Sequence, residues 1–186
     1  MIFIDRSRQL LQLIFLLVLA LPAFANEPAA VTSYTLNTGD RVQVTVFEEP
    51  DLSLSAVLDD TGAISYPLLG ELKVRGLTPR QLEARITDKL RGRFLINPRV
   101  NVAIMEYRPF FVRGEVANPG GFPFKPGLTV EKAVSMAGGF TSRASKSKFY
   151  IMSDDNARSS EEDRKSATLS SRVRPGDVIQ IEQSFF

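Results

Sequence analysis

The stretch V112-RGEVANPGGFPFKPGLTVEKAVSMAGG-F140 decides how the second half of this 186-residue chain folds. Phe111 and Val112 open a strand, and Asn118-Pro119-Gly120-Gly121 supplies a turn, because proline presets its own φ and glycine tolerates positive φ. The partner strand then carries Phe122 and Phe124, and Pro126-Gly127 turns the chain again. Leu128-Thr129 caps a short helix on which Val130, Ala133, Val134 and Ala137 share one face. Gly138 and Gly139 end it. The small residues of that face let the helix lie close to a sheet. Downstream, Lys148–Met152 reads as a strand, the charged and aperiodic run from Asp154 to Thr168 as a loop, and Val173 onward as a turn and a closing strand.

The first half has the same texture. Asn37-Thr38-Gly39-Asp40 is a turn followed by Val42, Val44 and Val46 in alternation with polar residues, a half-buried strand. Asp60-Thr61-Gly62 turns the chain into a second strand with Ile64 and Tyr66, and Pro67 marks its end. Leu72 and Val74 alternate with charged neighbours. Thr78 is placed to cap a helix, with Pro79 at its first position, Gln81 completing a capping box and Leu77 and Leu82 forming a staple. Leu82, Ile86 and Leu90 make one narrow apolar stripe, and Gly92 is the stop. Val100, Val102 and Ile104 form a further strand, and Pro109 marks a seam. The sequence thus predicts an α+β protein: residues 34–107 as a strand-rich unit with one helix, and 108–186 as a second unit. The Gly-Asp turn before an alternating strand occurs twice, at Asn37–Val46 and at Arg174–Gln183. A good turn repeated is the first reading of that echo, and duplication the second.

Ahead of these units stands an export leader. Arg6 and Arg8 precede an apolar run from Leu10 to Ala20 that is too short to span a bilayer, and Ala23-Phe24-Ala25 supplies small residues for cleavage between Ala25 and Asn26. Residues 26–33 read as a linker. The formal net charge of +2 is too small to suggest a nucleic-acid partner. There is no cysteine, so no disulfide supports the exported chain and the core must hold it.

Candidate chemistry is sparse. With no histidine and no cysteine, the common zinc sites, Cys-His nucleophiles and Ser-His triads have no residues to draw on. No phosphate-cradling loop precedes a Lys-Ser/Thr pair. The acidic run from Asp154 to Asp163 lacks the spacing of a calcium loop. Glu48, Glu49, Asp51, Asp59 and Asp60 lie in turns and strand ends, where solvated acids are ordinary. No catalytic residue, cofactor site or metal site is expected. Tyr107, Phe110, Phe111, Phe122 and Phe124 cluster in sequence; they read as the core of the second unit, with sugar stacking as the alternative. Phe185-Phe186 covers the sheet or docks on a partner.

In order and spacing, these motifs resemble a known pair of domains. Tyr34, Gly39-Asp40, Asp60, Gly62, the Tyr66–Leu72 stretch YPLLGEL with Pro67 and Gly70, Gly76-Leu77-Thr78 and Pro98-x-Val100-x-Val102 resemble the polysaccharide biosynthesis/export domain of bacterial outer-membrane polysaccharide export proteins. Gly114–Phe122 (GEVANPGGF, with Pro119 and Gly120), Leu128-Thr129-Val130, Ala137–Thr141 with Gly138 and Gly139, Ala144 and Arg174–Ile179 with Gly176 and Asp177 resemble a soluble-ligand-binding β-grasp (SLBB) domain. The resemblance implies a subunit of a capsule or exopolysaccharide export complex in the periplasm, associated with the outer membrane. It implies a homo-oligomeric ring, a polysaccharide chain as cargo and an inner-membrane polysaccharide co-polymerase as partner. Lipid-anchored members carry a cysteine after the leader and larger ones end in an amphipathic pore helix. This sequence shows neither feature, so it is expected to work with a separate outer-membrane component. A monomeric periplasmic module that binds a saccharide or cell-wall fragment is the alternative.

Overall fold

The Gly-Asp turn launches β1 (Arg41–Val46), which is the middle strand of an antiparallel sheet with β2 (Leu54–Val57) on one side and β5 (Val100–Glu106) on the other. The computed structural model describes residues 34–153 and 164–184. The expected cleavage point between Ala25 and Asn26, the linker 26–33, the whole acidic run from Asp154 to Asp163 and Phe185-Phe186 lie outside them. β3 (Ala63–Tyr66) and β4 (Gly70–Lys73) form a separate hairpin, and β3 ends where Pro67 withdraws a donor. The helix α1 (Pro79–Leu90) has both reciprocal bonds of a capping box: Gln81 N–H donates to the Thr78 hydroxyl at 3.2 Å and Thr78 N–H to the Gln81 side chain at 2.8 Å. Its stripe of Leu82, Ile86 and Leu90 is fully buried with Val42, Val44, Tyr66 and Val74.

Strand β5 is an edge of its sheet, and α1 runs beside it. The Glu83 carboxylate of α1 reaches across and accepts the Val102 N–H at 2.9 Å, so a helix side chain satisfies a donor that no strand reaches.

The second half is a five-stranded mixed sheet in the order β7-β6-β10-β8-β9: β7 (Gly120–Phe122), β6 (Phe110–Gly114), β10 (Val178–Gln183), β8 (Ala144–Met152) and β9 (Lys165–Ala167). β10 lies parallel to β6 and antiparallel to β8. One face holds the helix α2 (Val130–Met136), whose Val130, Ala133 and Val134, followed by Ala137, pack with Phe110, Val112, Ile179 and Ile181. A sheet gripping one helix is the β-grasp arrangement, and the whole is α+β. The apolar residues fall into two clusters, one drawn from Leu36 to Val102 and one from Phe110 to Ile181, within one compact unit beginning at Tyr34.

Three expectations need correction. Residues 165–167 form β9 within the stretch read as loop; Ala167 is buried, and backbone pairing with β8 overrides the polar composition. Phe124 lies outside the strand that holds Phe122, because Pro123 cannot donate to the ladder. Phe111 faces outward on β6 and is 45% exposed, whereas Phe110 is fully buried, as pleat alternation requires.

Candidate functional site

Two turns meet at the segment that joins the two clusters. In the first, Gly39 adopts φ +87°, Asp40 N–H donates to the Asn37 carbonyl and Asn37 N–H donates back to the Asp40 carboxylate at 2.8 Å. In the second, Gly176 adopts φ +86°, Asp177 N–H donates to the Arg174 carbonyl and Arg174 N–H donates to the Asp177 carboxylate, also at 2.8 Å. The echo in the sequence is therefore one turn geometry used twice. Glycine fits both because a side chain at positive φ is disfavoured. Both aspartates are buried.

The Asp40 turn grips the joining segment through the Arg108 N–H, which donates to the Asp40 carboxylate at 2.9 Å. The Arg108 guanidinium lies 3.7 Å from the same carboxylate and donates to the Tyr34 hydroxyl at 3.0 Å; that hydroxyl donates to Asp40. Burial first, then the hydrogen bond to Asp40, pushes the Tyr34 phenol far above its ordinary range, so it stays neutral and keeps donating. The Asp177 turn grips the same segment from the other side: Gly176 N–H donates to the Pro109 carbonyl and Phe111 N–H to the Asp177 carbonyl. Residues 108–111 are thus pinned by both turns. Of these partners, Arg108 was not singled out in the sequence. Its cue was a lone arginine next to a proline between two apolar strands.

Against this joint lies a groove of about 530 Å³, bounded by the end of β5, Tyr107, Pro109 and residues 121–126. Tyr34, Tyr107 and Phe124 form a row of edge-to-face rings with centroids 5.0 and 5.3 Å apart, so the wall is tied to the Asp40 cluster. The five aromatics clustered in sequence therefore divide. Phe110 is core, Phe122 and Phe124 are half-buried against that core as expected and also line the groove, Tyr107 is half-buried beside them, and Phe111 faces solvent.

The other motif residues are spread through the fold. Gly62 and Gly76 occupy turns around the β3–β4 hairpin, Pro67 follows β3, Gly70 begins β4, Pro119 precedes β7 and Gly120 begins it, and Gly138 and Gly139 follow α2. Gly114 ends β6 against the backbone of β10: a Cβ there would sit 2.0 Å from the Ile181 carbonyl oxygen. Of the surface acids, the Asp59 carboxylate accepts bonds from Ala63 N–H, Thr61 N–H and the Thr61 hydroxyl, which hold it below the usual carboxylate range. It shapes its own turn.

Comparison with known proteins places these features in a class. Residues 28–105 match the polysaccharide biosynthesis/export protein family and residues 109–158 match the SLBB domain. The two matches follow one another along the chain, the export-family match first and the SLBB match second. It is similar to the exopolysaccharide production protein ExoF of Rhizobium meliloti (strain 1021), with 34% identity over 135 residues covering 66% of this chain and 32% of that protein. The EPS I polysaccharide export outer membrane protein EpsA of Ralstonia solanacearum is 27% identical over 137 residues, 60% of this chain and 36% of that one. The polysialic acid transport protein KpsD of Escherichia coli is 33% identical over 89 residues, 47% of this chain and 16% of that one. The chain therefore spans between 16% and 36% of the length of these relatives.

Proposed function

We propose that this protein is a subunit of a polysaccharide export complex, acting in the periplasm against the outer membrane as part of the route by which capsule or exopolysaccharide leaves the cell. The observation that carries this reading is the pairing, in order, of an export-family domain and an SLBB domain, with relatives named for exopolysaccharide production, polysialic acid transport and polysaccharide export. In this reading residues 34–107 and 108–186 are two domains, and copies of the chain close into a ring through heterologous contacts. An inner-membrane co-polymerase delivers the polymer, and a separate outer-membrane component completes the exit. The protein contributes shape and makes no bonds. The turn glycines and the Asp40 and Asp177 turns hold that shape.

Deleting the gene and restoring it in trans tests the reading. Surface polysaccharide should fall to background in the deletion, polymer or its lipid-linked precursor should accumulate inside, and the restored gene should return both to normal. Unchanged surface polysaccharide in a clean deletion would defeat it. Light scattering of the purified processed chain then separates a ring from a monomeric saccharide-binding module.

A further inference from the structure

We infer that the groove beside the joint is a binding site for an acidic saccharide unit. This inference rests on the export reading for its setting, but on the groove alone for its chemistry. A volume of about 530 Å³ is within the range of small-ligand sites, and larger than one isolated side-chain pocket requires. Three aromatic side chains line it, Tyr107, Phe122 and Phe124, each half-buried. Pyranose rings present a flat C–H face that packs on such surfaces, and a rim of hydroxyls that needs polar partners beside them.

Two neighbouring prolines favour a compact ligand over an added β-strand. β7 is an edge strand of three residues, and the chain continues through Pro123 and Pro126. An incoming strand running past Phe122 would find no donor at either proline. The same prolines fix the wall before anything binds, which lowers the entropy lost on binding.

Charge selects the kind of sugar. Glu106 at the rim is 3.2 Å from Arg41, so its charge is already matched. Lys125 is exposed on the opposite segment and has no hydrogen bond or ion pair among the described residues. The groove lining therefore carries one cation with no partner among the described residues. A uronate or another sugar bearing a carboxylate meets both features; a neutral sugar meets only the rings.

The test uses the full chain, exported and purified, labelled for backbone NMR and titrated with tetragalacturonate as the acidic probe and maltotetraose as the neutral one. The expected result is saturable shifts confined to amides of residues 105–126, stronger for the acidic probe. Lys125→Glu, at an exposed position, should weaken that binding about fivefold or more while leaving the rest of the spectrum in place. Phe124→Ala should weaken it about tenfold. The site is overturned by shifts elsewhere, by no saturable shift with either probe, by equal affinity for both, or by Lys125→Glu binding like wild type. Groove amides that move with protein concentration and not with sugar would also overturn it, and would make the groove a contact between copies. The same variants placed in the deletion strain keep the two readings apart. A chain that restores surface polysaccharide but binds neither probe loses the groove alone. A chain that binds but does not restore loses the export reading.

Discussion

Asp40 is the residue on which most of the joint converges. Its carboxylate is fully buried and accepts from the Asn37 and Arg108 amides and the Tyr34 hydroxyl, with the Arg108 guanidinium 3.7 Å away. Replacing it by alanine removes the acceptor from two backbone amides and a phenol and leaves a buried cation facing the gap, a loss of about 3–5 kcal/mol. Asp40→Ala should therefore shift the midpoint of urea unfolding strongly downward with little change in slope. Asp40→Asn, which keeps an oxygen acceptor, should fall between the two. The sequence showed Asp40 as a turn residue, because Gly-Asp before an alternating strand has a local cause. It could not show Arg108 as its partner. That pairing joins residues 68 positions apart, and no local pattern encodes it.

At the scale of elements, legibility followed the strength of local chemistry. Helix α1 was readable to the residue, since capping box, N1 proline and apolar stripe all agreed. Its cap can be tested singly: Thr78→Ala should cost about 1 kcal/mol, read as a lowered thermal midpoint. The short strand β9 was unreadable, because three residues in a charged run become a strand only when β8 offers its edge. β2 was also missed; its four residues alternate between half-buried and exposed, too faint a pattern to stand out. Among the aromatics, sequence adjacency suggested one cluster. The pleat placed Phe110 and Phe111 on opposite faces, and Pro123 carried Phe124 off the sheet towards the groove. The groove itself is built from β5, the joint and the segment after β7. It became visible only once those three came together in space.

For the molecule as a whole, buried Tyr66 and half-buried Tyr34 tie stability to alkaline pH. Tyr66 lies in the first core, its hydroxyl donates to the Leu52 carbonyl at 2.7 Å, and burial pushes its phenol from 10.0 up to about 12. A folded pKa above the unfolded one means that the neutral phenol favours the folded state. The contribution is complete below pH 10 and is lost as pH rises towards 12, because the unfolded chain gives up its proton first. Tyr34, raised in the same direction, adds to this trend. Unfolding free energy measured from pH 8 to pH 12 should therefore decline above pH 10, and Tyr66→Phe should flatten that decline while starting from a slightly lower value at neutral pH.

The bond from Glu83 to the Val102 amide has a consequence for how the protein keeps to itself. A border strand with a vacant donor invites the same strand of another molecule, and repetition of that event builds fibres. One carboxylate, held on a well-capped helix, occupies the place where such recruitment would begin. Glu83→Ala should leave the secondary structure intact yet shorten the lag before thioflavin-positive aggregates appear at high protein concentration. Glu83→Gln, still able to accept the bond, should delay them. One glutamate thus separates a covered strand border from one open to recruitment.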